Sequence, residues 1–116
     1  MEKYQRIKQN SQFKRLYQKG VALVSPCLVC YIRNNKVGAV RLGLTVSKKI
    51  GSAVLRNRAK RVLRVAARAA VKEGLRSADI LLVARGKTPF VKSTRVESEL
   101  FELLKKGGYL AEKEEK

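Results

Sequence analysis

RLGLTVSKKIGSAVLRNRAKRVLRVAAR (residues 41–68) changes its period partway along. Over 40–47 the side chains alternate: Val40, Leu42, Leu44 and Val46 fall on one face of a strand, and Arg41, Gly43, Thr45 and Ser47 on the other. From Ala53 to Lys72 the spacing is helical, with Ser52 suited to cap the start and Gly74 to close the end. At about 100° per residue, Leu55, Ala59, Val62, Leu63, Ala66 and Ala70 gather on one side of this helix. Asn57, Arg61, Arg64, Arg68 and Lys72 stand nearly in line on the other, with Arg56, Arg58 and Lys60 beside that row. DILLVAR (79–85) follows, a run of consecutive apolar residues that predicts a strand covered on both faces. Strand, helix and strand make a β-α-β unit, a crossover that is right-handed in about 98% of cases.

Working outward, Asn10 or Ser11 caps a helix over 11–18 that Gly20 ends, with Phe13, Leu16 and Tyr17 on one face. Extended stretches at 21–25 and 27–33 are split by Pro26, which cannot donate to a ladder. Asn34-Asn35-Lys36 suits a hairpin turn that would pair 27–33 with 40–47. The sheet would then have a greasy face with Leu28, Cys30 and Ile32. Its other face would carry Val29, Tyr31, Arg33, Arg41 and small residues, with room for a ligand. A last helix over 93–106 shows an apolar stripe of Val96, Leu100, Leu103 and Leu104 and ends at Gly107-Gly108. The reading is a single α/β (α+β) domain over 1–106, with 107–116 as a frayed C-terminal tail.

The charge is as uneven as the period. The 116 residues carry a formal net charge of +18. Residues 1–72 hold eighteen Lys and Arg against Glu2 alone, net +17, while 73–116 hold nine against eight, net +1. Ordinary solvated helix faces mix signs, because opposite charges four residues apart stabilise each other and like charges repel. A row of cations without acidic neighbours calls for a polyanion, and nucleic acid fits best. Lys48 and Lys49 beside the free N–H groups at the start of the long helix form an anion site suited to a backbone phosphate. Tyr31 beside Arg33 and Arg41 fits single-stranded RNA, which is held by aromatic faces under bases and cations along the backbone.

The same composition argues against chemistry by the chain itself. Protein ribonucleases use His or metal-holding carboxylates. There is no His, the only Asp is Asp79, and every Glu except Glu2 lies at or beyond 73. Cys27 and Cys30 form a C-x-x-C with no partner to complete a zinc site. Three apart on a strand they are expected to point to opposite sides, as two small packed residues. No apolar run approaches the ~20 residues of a membrane span, and the N-terminus lacks the apolar region of a signal peptide, so the chain reads as cytoplasmic.

V-S-K-K-I-G-x-A-V-x-R-N-R-x-K-R-x-x-R (Val46 to Arg64), the upstream spacing F-x-x-x-Y-x-x-G (Phe13, Tyr17, Gly20) and downstream ADILLVAR together resemble the bacterial ribonuclease P protein component. The resemblance runs to about residue 105. It implies an order α-β-β-β-α-β-α, a four-stranded sheet and, against the base rate above, a left-handed β-α-β crossover. It also implies the protein subunit of an RNA-based endonuclease that removes the 5′ leader from precursor tRNA. Catalysis, with magnesium, then belongs to the RNA subunit. The protein would have no catalytic residue, no metal or cofactor of its own, no membrane association, and one copy per RNA. Carried over by motif, Arg56, Asn57, Arg58, Lys60, Arg61 and Arg64 would contact the catalytic RNA, with Lys48, Lys49 and Arg68 extending that surface. Phe13, Tyr17 and Tyr31 match the family's leader cleft, with Arg33, Arg41 and Thr45 on the same expected sheet face. Three rivals remain open from residues alone: a ribosomal protein or RNA chaperone, a DNA-binding protein using helix 53–72, and a membrane-surface helix. The last lacks aromatic anchors, and no preceding helix-turn suits major-groove reading.

Overall fold

The computed structural model describes residues 5–7, 10–36, 38–75 and 77–110. Strands β1 (Gln5–Arg6), β2 (Val21–Val24), β3 (Leu28–Asn34), β4 (Arg41–Thr45) and β5 (Ala78–Ala84) form one mixed sheet in the order β1-β4-β5-β3-β2. Helices α2 (Ala53–Lys72) and α3 (Ser93–Lys106) cover one face, and α1 (Asn10–Lys19) crosses the other. The three helices fall where their periodicity places them. Ser52 caps α2 by accepting from Leu55 N at 3.3 Å, and Gly74, at φ 98°, closes its C-terminus.

Two expectations about the sheet are corrected. It has five strands rather than four, because Gln5–Arg6 adds a two-residue strand parallel to β4. Two residues carry no period, so no pattern announces such a strand. Nor do β3 and β4 pair as a hairpin. β5 lies between them, antiparallel to β3 and parallel to β4. The most continuously apolar strand thus takes the centre, where both edges are paired and both faces covered. The connection through Asn35 joins two strands that have one strand between them in the sheet, and Asn35 Nδ2 fastens it to Ala39 O at 3.0 Å and to Asp79 Oδ1 at 2.9 Å. The hairpin that does form is β2–β3, closed by a turn over residues 25–28 in which Ser25 Oγ donates to Leu28 O.

The main core lies between the sheet and α2/α3. Leu28, Cys30, Ile32, Leu42, Ile80 and Leu82 meet Val62, Leu63, Val96, Leu100 and Leu104. Ala59, Ala66, Ala67 and Ala70 are buried on α2, and these short side chains let α3 approach closely. Cys27 sits in this same core beside Cys30, against the expectation of opposite sides: it precedes β3, so strand alternation does not govern it. Both thiols are free, and burial pushes Cys30 up to about 12. Packing also continues past the expected boundary at 107. Tyr109 N donates to Leu104 O at 2.9 Å and Leu110 enters the core, while 111–116 lie outside the described residues.

The second core is small. Leu16 of α1 lands on Leu81 with Ile7, while Phe13, Tyr31 and Val83 pack around them. Two glycines permit the docking. A Cβ on Gly43 would lie 2.8 Å from Phe13 Cε1, and one on Gly20 would lie 2.5 Å from Leu16 O at the end of α1 itself and 3.3 Å from Ile32 O on β3. With both absent, α1 settles across β4, β5 and β3 over the row Gly43–Leu81–Tyr31.

Candidate RNA-binding interface

Helix α1 divides its face of the sheet into two unlike halves. One half is the row Val24–Val29–Val83–Thr45, whose members are half-buried or exposed. Phe13 and Tyr17 lean toward this half, on the flank of α1 opposite Arg15. Tyr17 is 46% exposed, and its ring meets that of Tyr31 edge-on with centroids 4.8 Å apart. The result is a shallow floor of small and β-branched residues beside three aromatic rings. Lys48 and Lys49, both exposed, follow β4 at the end of this floor in a one-turn 3-10 helix (Lys48–Ile50), and α2 begins just beyond them.

The other half carries the row Arg33–Asp79–Arg41. Arg41 grips Asp79 with both arms, Nε to Oδ1 at 2.6 Å and Nη2 to Oδ2 at 2.7 Å. The carboxylate beside it raises the Arg41 pKa. Arg15, Arg33 and Lys36 line a cavity of about 260 Å³ with this pair. Arg33 and Arg41, expected beside Tyr31 on one open surface, are thus separated from Thr45 and the exposed Tyr17 by α1 itself. Arg41 also spends its charge within the fold.

On α2 Ala59, Val62, Leu63, Ala66 and Ala70 are buried as the helical wheel predicts, Leu55 is half-buried, and Asn57, Arg58, Lys60, Arg61, Arg68 and Lys72 are exposed. Lys60 and Arg64 face the β4 edge, where with Arg6 and Phe13 they line a cavity of about 200 Å³. Arg56 lies on this same flank by helical rotation, and its Nε is buried with no hydrogen-bond partner. A buried donor left unsatisfied is costly, about 1–3 kcal/mol, unless a ligand oxygen completes it. Arg58 lies on the opposite flank by helical rotation and is exposed. Neither Arg6 nor Arg15 carried a sequence signal, since each reaches its cavity through tertiary placement alone.

Among the described residues no group of three His, Cys, Asp or Glu is placed to hold a metal ion, and no helix is long and apolar enough to cross a membrane. What this arrangement offers is cations on α2, two exposed lysines ahead of its start, and aromatic faces along an open floor.

A basic helix and an aromatic cleft are thus set on one small α+β sheet. The sequence model of the Ribonuclease P family matches residues 1–108, and the chain belongs to that family. It is 36% identical over 107 residues to the ribonuclease P protein component of Clostridium botulinum, covering 91% of this chain and 96% of that one. Its identity to the same component of Staphylococcus aureus is 39% over 106 residues, covering 90% and 91%. Among solved structures, the Staphylococcus aureus RNase P protein superposes with a TM-score of 0.80 at 36% identity, covering 93% of this chain and 99% of that one. The Thermotoga maritima RNase P protein superposes with a TM-score of 0.77 at 28% identity, covering 88% and 96%. The small α+β fold with a mixed sheet is therefore the fold of RNase P proteins.

Proposed function

We propose that this chain binds the catalytic RNA of ribonuclease P through α2 and the 5′ leader of precursor tRNA through the aromatic floor beside α1. In this reading the RNA subunit, with its magnesium ions, cuts the leader, and the protein contributes grip and position. The observation that carries it is the split of one cationic domain into two surfaces of different chemistry. Arg56, Asn57, Arg58, Lys60, Arg61, Arg64 and Arg68 offer charge and forked donors to a folded RNA backbone. Phe13, Tyr17 and Tyr31 offer ring faces to unpaired bases over a floor that ends at Thr45, with Lys48 and Lys49 beyond it.

Family membership supports the tRNA-processing setting. The absence of His from the whole sequence supports a non-catalytic protein. Arg33 and Arg41 are left out of the leader path, because α1 stands between them and the open floor.

The test is reconstitution. Purified chain is added to a ribonuclease P RNA at low magnesium, and precursor-tRNA cleavage is followed, with a scrambled RNA of equal length as control. Cleavage is expected only with the authentic RNA, and faster with the chain than without it. Equal rates with and without the chain would refute the reading, and would favour a ribosomal protein or general RNA chaperone.

A further inference from the structure

Phe90 belongs to neither surface, yet its ring is 67% exposed. It closes the one-turn 3-10 helix Thr88–Phe90 that follows β5. The two residues before it are fully buried. Thr88 Oγ1 donates to Cys27 O at 2.6 Å and accepts from Arg85 N at 2.8 Å, while Phe90 N donates to Lys87 O at 2.9 Å. Pro89 adds a fixed φ. The turn is thus pinned from beneath, and an aromatic ring is held out into solvent on a stiff mount.

A single exposed hydrophobe needs no explanation by itself. The setting of this one differs. Arg85, Lys87 and Lys92 flank it in sequence and are exposed, and no acidic residue occurs between Asp79 and Glu97. The turn packs against α2, the helix with the cationic face. A ring face on a rigid mount, cations on either side in sequence and a basic helix adjacent are the parts that hold an unpaired base: stacking beneath it and charge along its phosphates. Rigid mounting lowers the ordering cost of binding. A protein partner would look for apolar neighbours, and the exposed side chains nearest to Phe90 in sequence, Lys87 and Lys92, are cations.

We infer that Phe90 is a stacking platform for an unpaired base of the catalytic RNA, beside α2 and separate from the aromatic floor at α1. This rests on the reading that α2 grips that RNA. The sequence contains no Trp, so Phe90→Trp places one indole reporter at the site, and stacking on a base quenches it. Quenching is expected on titration with ribonuclease P RNA and not with an isolated leader oligonucleotide. Phe90→Ala should weaken binding to the catalytic RNA by between about 5- and 100-fold, the loss of one stacked base. Because no charge is removed, the slope of log K against log salt should stay that of the parent, and Phe90→Tyr should restore affinity. Saturable binding of the catalytic RNA without quenching would overturn the platform, and quenching by the leader alone would overturn its assignment to the catalytic RNA. Failure of the unmodified chain to bind the catalytic RNA would instead sink the reading of α2, and the platform with it.

Discussion

Arg41 and Asp79, 38 residues apart in the chain, close a two-armed ion pair at 2.6 and 2.7 Å on the far flank of α1. Asp79 is the only aspartate in the sequence, and Asn35 adds a third hydrogen bond to it. The pair fastens the β3–β4 connection to the start of the central strand.

Its role is therefore structural, and the two partners should behave alike. Asp79→Asn and Arg41→Met are each expected to destabilise the fold by ~1–3 kcal/mol, the worth of charged hydrogen bonds broken at a half-buried site. Denaturant titration measures this. Leader affinity of folded Arg41→Met should stay within about 2-fold of the parent, well below the loss of one stacked base. A larger loss would return Arg41 to the leader path.

The two surfaces should separate by mutation. Arg58→Ala and Arg61→Ala are expected to weaken binding to the catalytic RNA more than to an isolated leader. Tyr17→Ala and Tyr31→Ala should do the reverse, by roughly 5- to 100-fold on the leader for a lost stacking face. Filter binding with both ligands decides it. Equal losses on both would merge the surfaces into one.

Salt dependence measures the electrostatic share. If about six cations neutralise phosphates, log K should fall by roughly 4–5 per decade of salt. A slope shallower than about 2 contradicts a phosphate-gripping α2.

Acid should expose a latch on the α3 side. Glu99 accepts from Cys27 N at 2.9 Å and from Arg95 Nε at 3.1 Å. Burial opposes its ionisation, but hydrogen bonds from Ser25, Cys27 and Arg95 outweigh it and hold the carboxyl at about 2. A folded value below the unfolded one, about 4.3, gives stability that is fully present above that value and lost as pH falls toward 2. The expected loss is ~1–3 kcal/mol between about pH 5 and pH 2. Glu99→Gln should lower the melting temperature at pH 7 and flatten this part of the pH profile. An unchanged profile in Glu99→Gln would assign the acid sensitivity elsewhere.

The helices were legible in the sequence because each carries its own punctuation. Ser52, Gly74 and the rhythm from Ala59 to Ala70 bound α2 without reference to any other segment. The strands were legible as strands, but their neighbours were not. Sequence proximity suggested that β3 pairs with β4, whereas the apolar run of β5 claims the position between them. That outcome depends on how β5 is best covered, a property of the assembled sheet. The aromatic residues of the candidate site were visible through motif spacing. The flank of α1 on which Arg33 and Arg41 lie was not, because it is set by the docking of Leu16 on Leu81 through Gly43. Phe90 was invisible for a simpler reason: a lone aromatic in a loop carries no period, and only its exposure singles it out.

In the proposed function this chain grips RNA and the RNA does the cutting. Precursor tRNA incubated with chain freed of all RNA tests this most directly. Intact precursor is expected at every magnesium concentration, and accurate 5′ maturation once ribonuclease P RNA is restored. Mature 5′ ends produced by the RNA-free chain would contradict the proposed function.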